Sequence, residues 1–207
     1  MRSDFRLPRV YPITDTQISG LSHAEQVRLL VEGGATLVQL REKNLSALDF
    51  YNEAKSVQGV TVIINDRVDV ALAVNAAGVH LGQDDLPPDA ARRLLGDDAI
   101  IGHSTHNLAQ ARAAARLPVD YIAIGPIFST ATKASPDPDV GLDGLRAVRD
   151  AIGNIPLVAI GGITAENAAS VIDAGADSVA LISGLLAGGP AAISGQFRSL
   201  NDLLLAR

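Results

Sequence analysis

The sequence predicts an α/β protein built as a single (β/α)8 TIM barrel over residues 1–207, and three observations predict it. Eight short β-branched runs alternate with Ala/Leu/Arg-rich stretches of helical period along the 207-residue chain, the order that builds a parallel sheet. Runs such as "VTVII" and "PLVAI" are almost continuously apolar, as strands with helices packed over them are. A weak repeat also recurs. "GATLVQL", "AAGVHL", "PVDYIAI" and "GADSVAL" each run from a helix end through a small or acidic residue into a strand. Aligning Thr36, Gly78, Asp120 and Asp177 gives spacings of 42, 42 and 57 residues. A spacing of 42 holds two strand–helix units of roughly 20 residues each. Eight such strands in so short a chain favour a closed barrel over an open doubly wound sheet.

Taken in order, the expected strands are Val10–Thr14, Thr36–Leu40, Val60–Asn65, Gly78–Leu81, Ala99–Gly102, Asp120–Gly125, Pro156–Gly161 and Ser178–Ile182. Between them lie helical patterns such as "HAEQVRLLVEGG", "VDVALAVNA", "PDAARRLLG", "NLAQARAAARL", "LDGLRAVRDAIG" and "AENAASVIDAG". Several open on a polar residue and close on glycine, as helix caps require.

Composition narrows the function. A chain that is 47% hydrophobic and 19% charged is that of an ordinary globular protein. The net charge of −6 argues against a broad nucleic-acid or anionic-membrane surface, but leaves room for a small anion held by local positives. There is no cysteine, which removes disulfides and zinc–thiolate sites. The N-terminal "MRSDFRLPRV" has no apolar core of a signal peptide, so a cytoplasmic location is expected.

In a barrel of this kind the chemistry sits at the C-terminal ends of the strands. Polar residues collect there: Gln39 to Lys43, Asn65-Asp66, Gln83 to Asp85, His103 to His106 and Thr130 to Lys133. Arg41 and Lys43, two apart, can face the same way and bind an anion, Arg as a fork and Lys as a point charge; surface charge is the plainer alternative. Lysine is scarce: Lys43, Lys55 and Lys133 are the only three. Asp66 and Asp85 end neighbouring strands and suit Mg²⁺ beside a phosphate, or else cap a helix and start a turn. Gly161-Gly162 and Ser183-Gly184 match the phosphate site that barrels build after their last two strands, although such glycines also simply end strands. His80 is expected to pack within the barrel or against a helix, and His23 to lie near a helix start. Ser104 is read as a substrate hydrogen-bonder, with helix capping by Thr105 or Asn107 as the alternative.

The motifs "VQLREK", "IINDRVDVALAVNAAGVHLGQDDLP", "IGHSTHNLAQA", "DYIAIGPIFSTATK", "VAIGGITAENA" and "GADSVALISG", from Tyr11 to Gly188, together resemble the thiamine-phosphate synthase family. The resemblance implies a TIM barrel that joins 4-amino-2-methyl-5-(diphosphooxymethyl)pyrimidine to a thiazole phosphate. Thiamine phosphate and pyrophosphate would be the products, with Mg²⁺ as cofactor and a dissociative substitution as mechanism. By the same resemblance Gln39 contacts the pyrimidine. Arg41, Lys43, Asn65 and Lys133 hold the diphosphate, Asp66 and Asp85 bind Mg²⁺, and Ser104 lies near the reacting methylene and the diphosphate. Thr130, Thr132, Gly162, Ile182 and Ser183 hold the thiazole phosphate. The partners implied are these two small molecules, with no nucleic acid and no membrane, and a homo-oligomer is left open. The chain departs from the family in a short segment between Lys43 and Asn65, in His103, and in the variable "ASPDPDVG". Two rivals remain: a thiazole tautomerase of the same superfamily, which works through a histidine, and a non-catalytic barrel that binds a phosphate ligand.

Overall fold

A computed structural model describes residues 5–130 and 138–206. Its eight strands are β1 (Val10–Thr14), β2 (Leu37–Leu40), β3 (Thr61–Asn65), β4 (Gly78–Leu81), β5 (Ile100–Thr105), β6 (Tyr121–Ile124), β7 (Leu157–Ile160) and β8 (Ser178–Leu181). They close in sequence order into a parallel barrel, and Val10 of β1 meets Val179 of β8 to shut the ring. The helices are α1 (Thr16–Ser19), α2 (His23–Glu32), α3 (Ala47–Ser56), α4 (Val68–Ala73), α5 (Pro88–Leu95), α6 (Leu108–Ala114), α7 (Gly141–Ile152), α8 (Ala168–Asp173), α9 (Ser183–Leu186) and α10 (Pro190–Leu205). Among the described residues no helix is long and apolar enough to cross a membrane.

Local chemistry places the helix starts. Ser22 accepts from the Glu25 amide while the Glu25 carboxylate accepts from the Ser22 amide, a capping box that opens α2. Ser46 and Asn107 accept from the third amide of α3 and α6 respectively. Asn107 is therefore the cap at α6, and Thr105 instead donates to the Ala123 carbonyl.

Strand alternation divides the core in two. One apolar cluster, including Val38, Leu40, Ile64, Val79, Ile101 and Ile122, packs the outside of the barrel against helix residues such as Phe50, Leu145 and Phe197. The other fills the barrel itself: Tyr11, Ile13, Leu37, Ile63, Ile100, Tyr121, Ala123, Val158 and Ala180. Successive strand residues point to opposite faces, so every second residue beyond an inward one also faces the barrel axis. That parity carries Gln39, Asn65 and Ser104 to the C-terminal mouth, and Arg41, Gly162 and Ile182 follow just past the ends of β2, β7 and β8.

Strand β5 runs three residues beyond the expected Gly102. Ser104 pairs with Ala123 and Thr105 with Ile124 of β6, so His103, Ser104 and Thr105 belong to the strand. Their polar character hides a strand whose inner end lines a polar mouth.

Candidate active site

The mouth is organised by carboxylates that meet cations from neighbouring strands. Arg41 follows β2 and its Nη1 lies 2.5 Å from Asp15 Oδ2, at the end of β1. Lys43 turns the other way, its Nζ contacting Asp66 Oδ2 after β3. The two positives thus reach opposite neighbours rather than one common direction, because β2 ends at Leu40 and strand alternation no longer governs Lys43. The turn between them is held by Glu42, which the sequence did not single out. Its nearly buried carboxylate accepts from the Lys43 and Asn44 amides at 2.8 and 2.7 Å and from Thr16 Oγ1 at 2.8 Å. Burial pushes the Glu42 pKa up, but these hydrogen bonds outweigh it and leave the pKa below the ordinary value.

Asp66 is no helix cap. It has φ of 61°, a conformation uncommon outside glycine and most tolerated by Asn and Asp. The residue that caps α4 is Arg67, without a side-chain bond. The left-handed turn at Asp66 is tied down by its amide, which donates to the His80 carbonyl at 2.8 Å. Asp85 accepts from the Gly82 amide at 2.7 Å, and its carboxylate lies within reach of Asp66. Burial raises the Asp85 pKa, and the neighbouring Asp66 carboxylate raises it further against the Gly82 hydrogen bond and the Lys43 charge. Two converging carboxylates with one lysine leave negative charge uncompensated, which is the condition a cation relieves.

Beside them Asn65 is 7% exposed and its Nδ2 has no hydrogen-bond partner among the described residues. An unpaired buried donor is costly, and this one sits where an anion would accept from it. Gln39 is buried, its Nε2 donating to Tyr11 Oη at 3.2 Å. Ser104 Oγ is 2.7 Å from His80 Nε2, and its backbone carbonyl accepts from Gln83 Nε2 at 2.6 Å. His80 packs within the barrel as expected, but it is also bonded to a mouth residue. His23 starts α2 and is wholly buried, its Nδ1 lying 2.7 Å from Thr14 Oγ1.

On the far side, Gly162 has φ of 64°, and a Cβ there would lie 2.7 Å from the Phe128 and Ser129 carbonyl oxygens. Only glycine lets the β7 loop pass this close to the loop after β6. Ile182 and Ser183 stand where β8 gives way to α9, and Ser183 is exposed. Thr130 is half-buried in the connection that follows β6. Thr132 and Lys133 lie outside the described residues.

Comparison with known proteins places the chain in a family. A family model described as thiamine monophosphate synthase matches residues 10–185. The chain belongs to the thiamine monophosphate synthase family. Among its relatives, the thiamine-phosphate synthase of Koribacter versatilis is 50% identical over 198 residues, covering 90% of this chain and 92% of the relative. The thiamine-phosphate synthase of Clostridium novyi is 49% identical over 185 residues, with 86% and 90% covered. The solved thiamine phosphate pyrophosphorylase of Pyrococcus furiosus superposes with a TM-score of 0.86 at 34% identity, covering 96% of both chains. Membership of this family makes the chain an enzyme, a transferase of thiamine biosynthesis.

Proposed function

We propose that the chain joins 4-amino-2-methyl-5-(diphosphooxymethyl)pyrimidine to a thiazole phosphate, releasing pyrophosphate and forming thiamine phosphate. The observation that carries this reading is the convergence of Asp66 and Asp85 beside Lys43 and an Asn65 Nδ2 that is unpaired among the described residues, all at one barrel end. Such a cluster suits a diphosphate together with a divalent cation. Asp66 and Asp85 would hold Mg²⁺, which when bound neutralises charge on the leaving diphosphate.

The chain's own residues do the rest. Arg41, Lys43, Asn65 and Lys133 bind diphosphate oxygens, and Gln39 orients the pyrimidine. The bond between the methylene carbon and the diphosphate oxygen breaks, and its electron pair leaves with pyrophosphate. The thiazole nitrogen then supplies the pair for the new C–N bond. Ser104 donates toward the departing diphosphate. Thr130, Thr132, Gly162, Ile182 and Ser183 hold the thiazole phosphate so that its nitrogen faces the methylene. No protein nucleophile is needed; positioning and charge neutralisation lower the barrier. Two diffusible anionic substrates fit a cytoplasmic enzyme and require neither nucleic acid nor membrane. The tautomerase alternative is disfavoured because His80 and His103 each engage both ring nitrogens within the protein.

Pyrophosphate release measured with each substrate alone and with both tests the proposal. Release that requires both substrates and Mg²⁺ and accompanies thiamine phosphate formation is expected. Release indifferent to Mg²⁺ and to the thiazole overturns it.

A further inference from the structure

Across the barrel interior runs an unbroken line of side-chain hydrogen bonds. Gln39 Nε2 donates to Tyr11 Oη at 3.2 Å, Tyr11 Oη meets Tyr121 Oη at 2.9 Å, Tyr121 Oη meets His80 Nδ1 at 2.9 Å, and His80 Nε2 meets Ser104 Oγ at 2.7 Å. The line joins the two mouth residues assigned above to the pyrimidine and to the leaving diphosphate. We propose that Tyr11, Tyr121 and His80 are positioning residues which couple ring recognition at Gln39 to hydrogen-bond donation by Ser104. This rests on the proposed roles of Gln39 and Ser104.

Proton counting carries the inference. Gln39, Tyr11, Tyr121 and His80 are all at most 7% exposed. A charge on any of these enclosed groups would be costly, so the line is built of neutral hydroxyls, amide and imidazole. Each hydroxyl then has one proton to place, and the imidazole has one. Only two arrangements satisfy all four bonds while using both tyrosine protons within the line, and they run in opposite directions.

The glutamine end selects between them. With its amide nitrogen on Tyr11, Tyr11 donates to Tyr121 and Tyr121 donates to His80 Nδ1. His80 must then carry its proton on Nε2 and donate to Ser104 Oγ. Ser104 has accepted, so its own proton is free to point into the mouth toward an anion. Gln39 Oε1 is left to accept from the amino group of an aminopyrimidine. In the reverse arrangement Gln39 would turn its amide nitrogen toward that amino group, and Ser104 would turn lone pairs toward the diphosphate. Amine at one end and anion at the other therefore favour the same direction.

Glycine supports the line independently. Gly102 stands between His80 and Tyr121 in the pairing of β4, β5 and β6. A Cβ there would lie 2.0 Å from Tyr121 Cζ, 2.3 Å from its hydroxyl and 2.5 Å from His80 Nδ1. A side chain at Gly102 would occupy the path of the Tyr121–His80 bond.

Steady-state kinetics of Tyr11→Phe and Tyr121→Phe, alone, combined, and each with Ser104→Ala, test the coupling. Each single Phe variant should lower kcat about tenfold, the loss of one net hydrogen bond. The combined Phe variant should be no slower than the slower single one, since either cut severs the line. In the Ser104→Ala background neither should change kcat further. Losses that multiply, or that persist at full size without the Ser104 hydroxyl, overturn the coupling while leaving the site intact. Full activity of Ser104→Ala would remove Ser104 from the site and the coupling with it. Should Tyr121→Phe fail to fold, Tyr11→Phe cuts the line one link earlier and tests the same coupling.

Discussion

The N-terminal end of the barrel and the Asp66–Asp85 pair at its mouth treat aspartate in opposite ways. At the N-terminal end, Arg92 of α5 pairs with Asp120 at 2.6 Å and also donates to the carbonyls of Gly96, Asp97, Ala99 and Pro118. Asp120 also accepts from the Ile101 amide at 2.9 Å. The same device recurs in the next repeat. Arg149 of α7 pairs with Asp177 at 2.6 Å and donates to the carbonyls of Gly153, Ile155 and Gly175, while Asp177 accepts from the Leu157 amide. In both cases the arginine stands 28 residues before its aspartate. Each carboxylate there meets a guanidinium and a backbone amide. Among the described residues of the C-terminal mouth, two carboxylates face each other over one lysine, and a buried amide donor lacks a partner. Satisfied charges staple the scaffold; unsatisfied ones mark where a ligand completes the structure.

Substitutions at the two ends should therefore separate stability from turnover. Arg92→Ala leaves the Asp120 side chain, 3% exposed, as a buried charge without its partner. Unfolding in denaturant should show a loss of about 3–5 kcal/mol, with turnover per folded molecule kept. Asp66→Asn at the mouth should do the reverse. Pyrophosphate release should fall ~10²–10³-fold and its Mg²⁺ titration weaken, with no drop in the thermal midpoint. An unchanged metal titration would count Asp66 among the structural carboxylates.

The buried imidazole gives an intermediate effect. The His80 pKa of about 3 lies below its ordinary value of 6.5, so the unfolded chain takes up the proton first as pH falls. The His80 contribution is fully present above about pH 6.5 and is lost toward pH 3. The slope it adds is at most about 1.4 kcal/mol per pH unit. Unfolding free energies of the wild type and His80→Gln across that window should differ in slope; parallel curves would contradict the burial. The smallest change is expected for Arg149→Ala, whose partner Asp177 is 51% exposed. Because water already screens that pair, roughly 0.2–1 kcal/mol should be lost from it. A loss matching that of Arg92→Ala would show that backbone stapling outweighs burial.

Much of this was legible in the sequence because it is local. Strand-forming runs, the 42-residue spacing and the polar residues after each strand follow from neighbours in the chain. Period-2 alternation puts Gln39 and Asn65 on one face of their strands, while Ser104 joins them only because β5 runs on past Gly102. The sequence by itself thus determined a parallel barrel with its polar residues at one end. Tertiary structure decided which partner each polar group meets. Arg41 turns to Asp15 and Lys43 to Asp66 because those ends flank β2 on either side. Tyr11 meets Tyr121 across 110 residues, and a central glycine at 102 acquires its reason only when Tyr121 and His80 close over it. Alternation fixes the face a side chain takes. Closure of the ring fixes who stands opposite, and that depends on the register of all eight strands together.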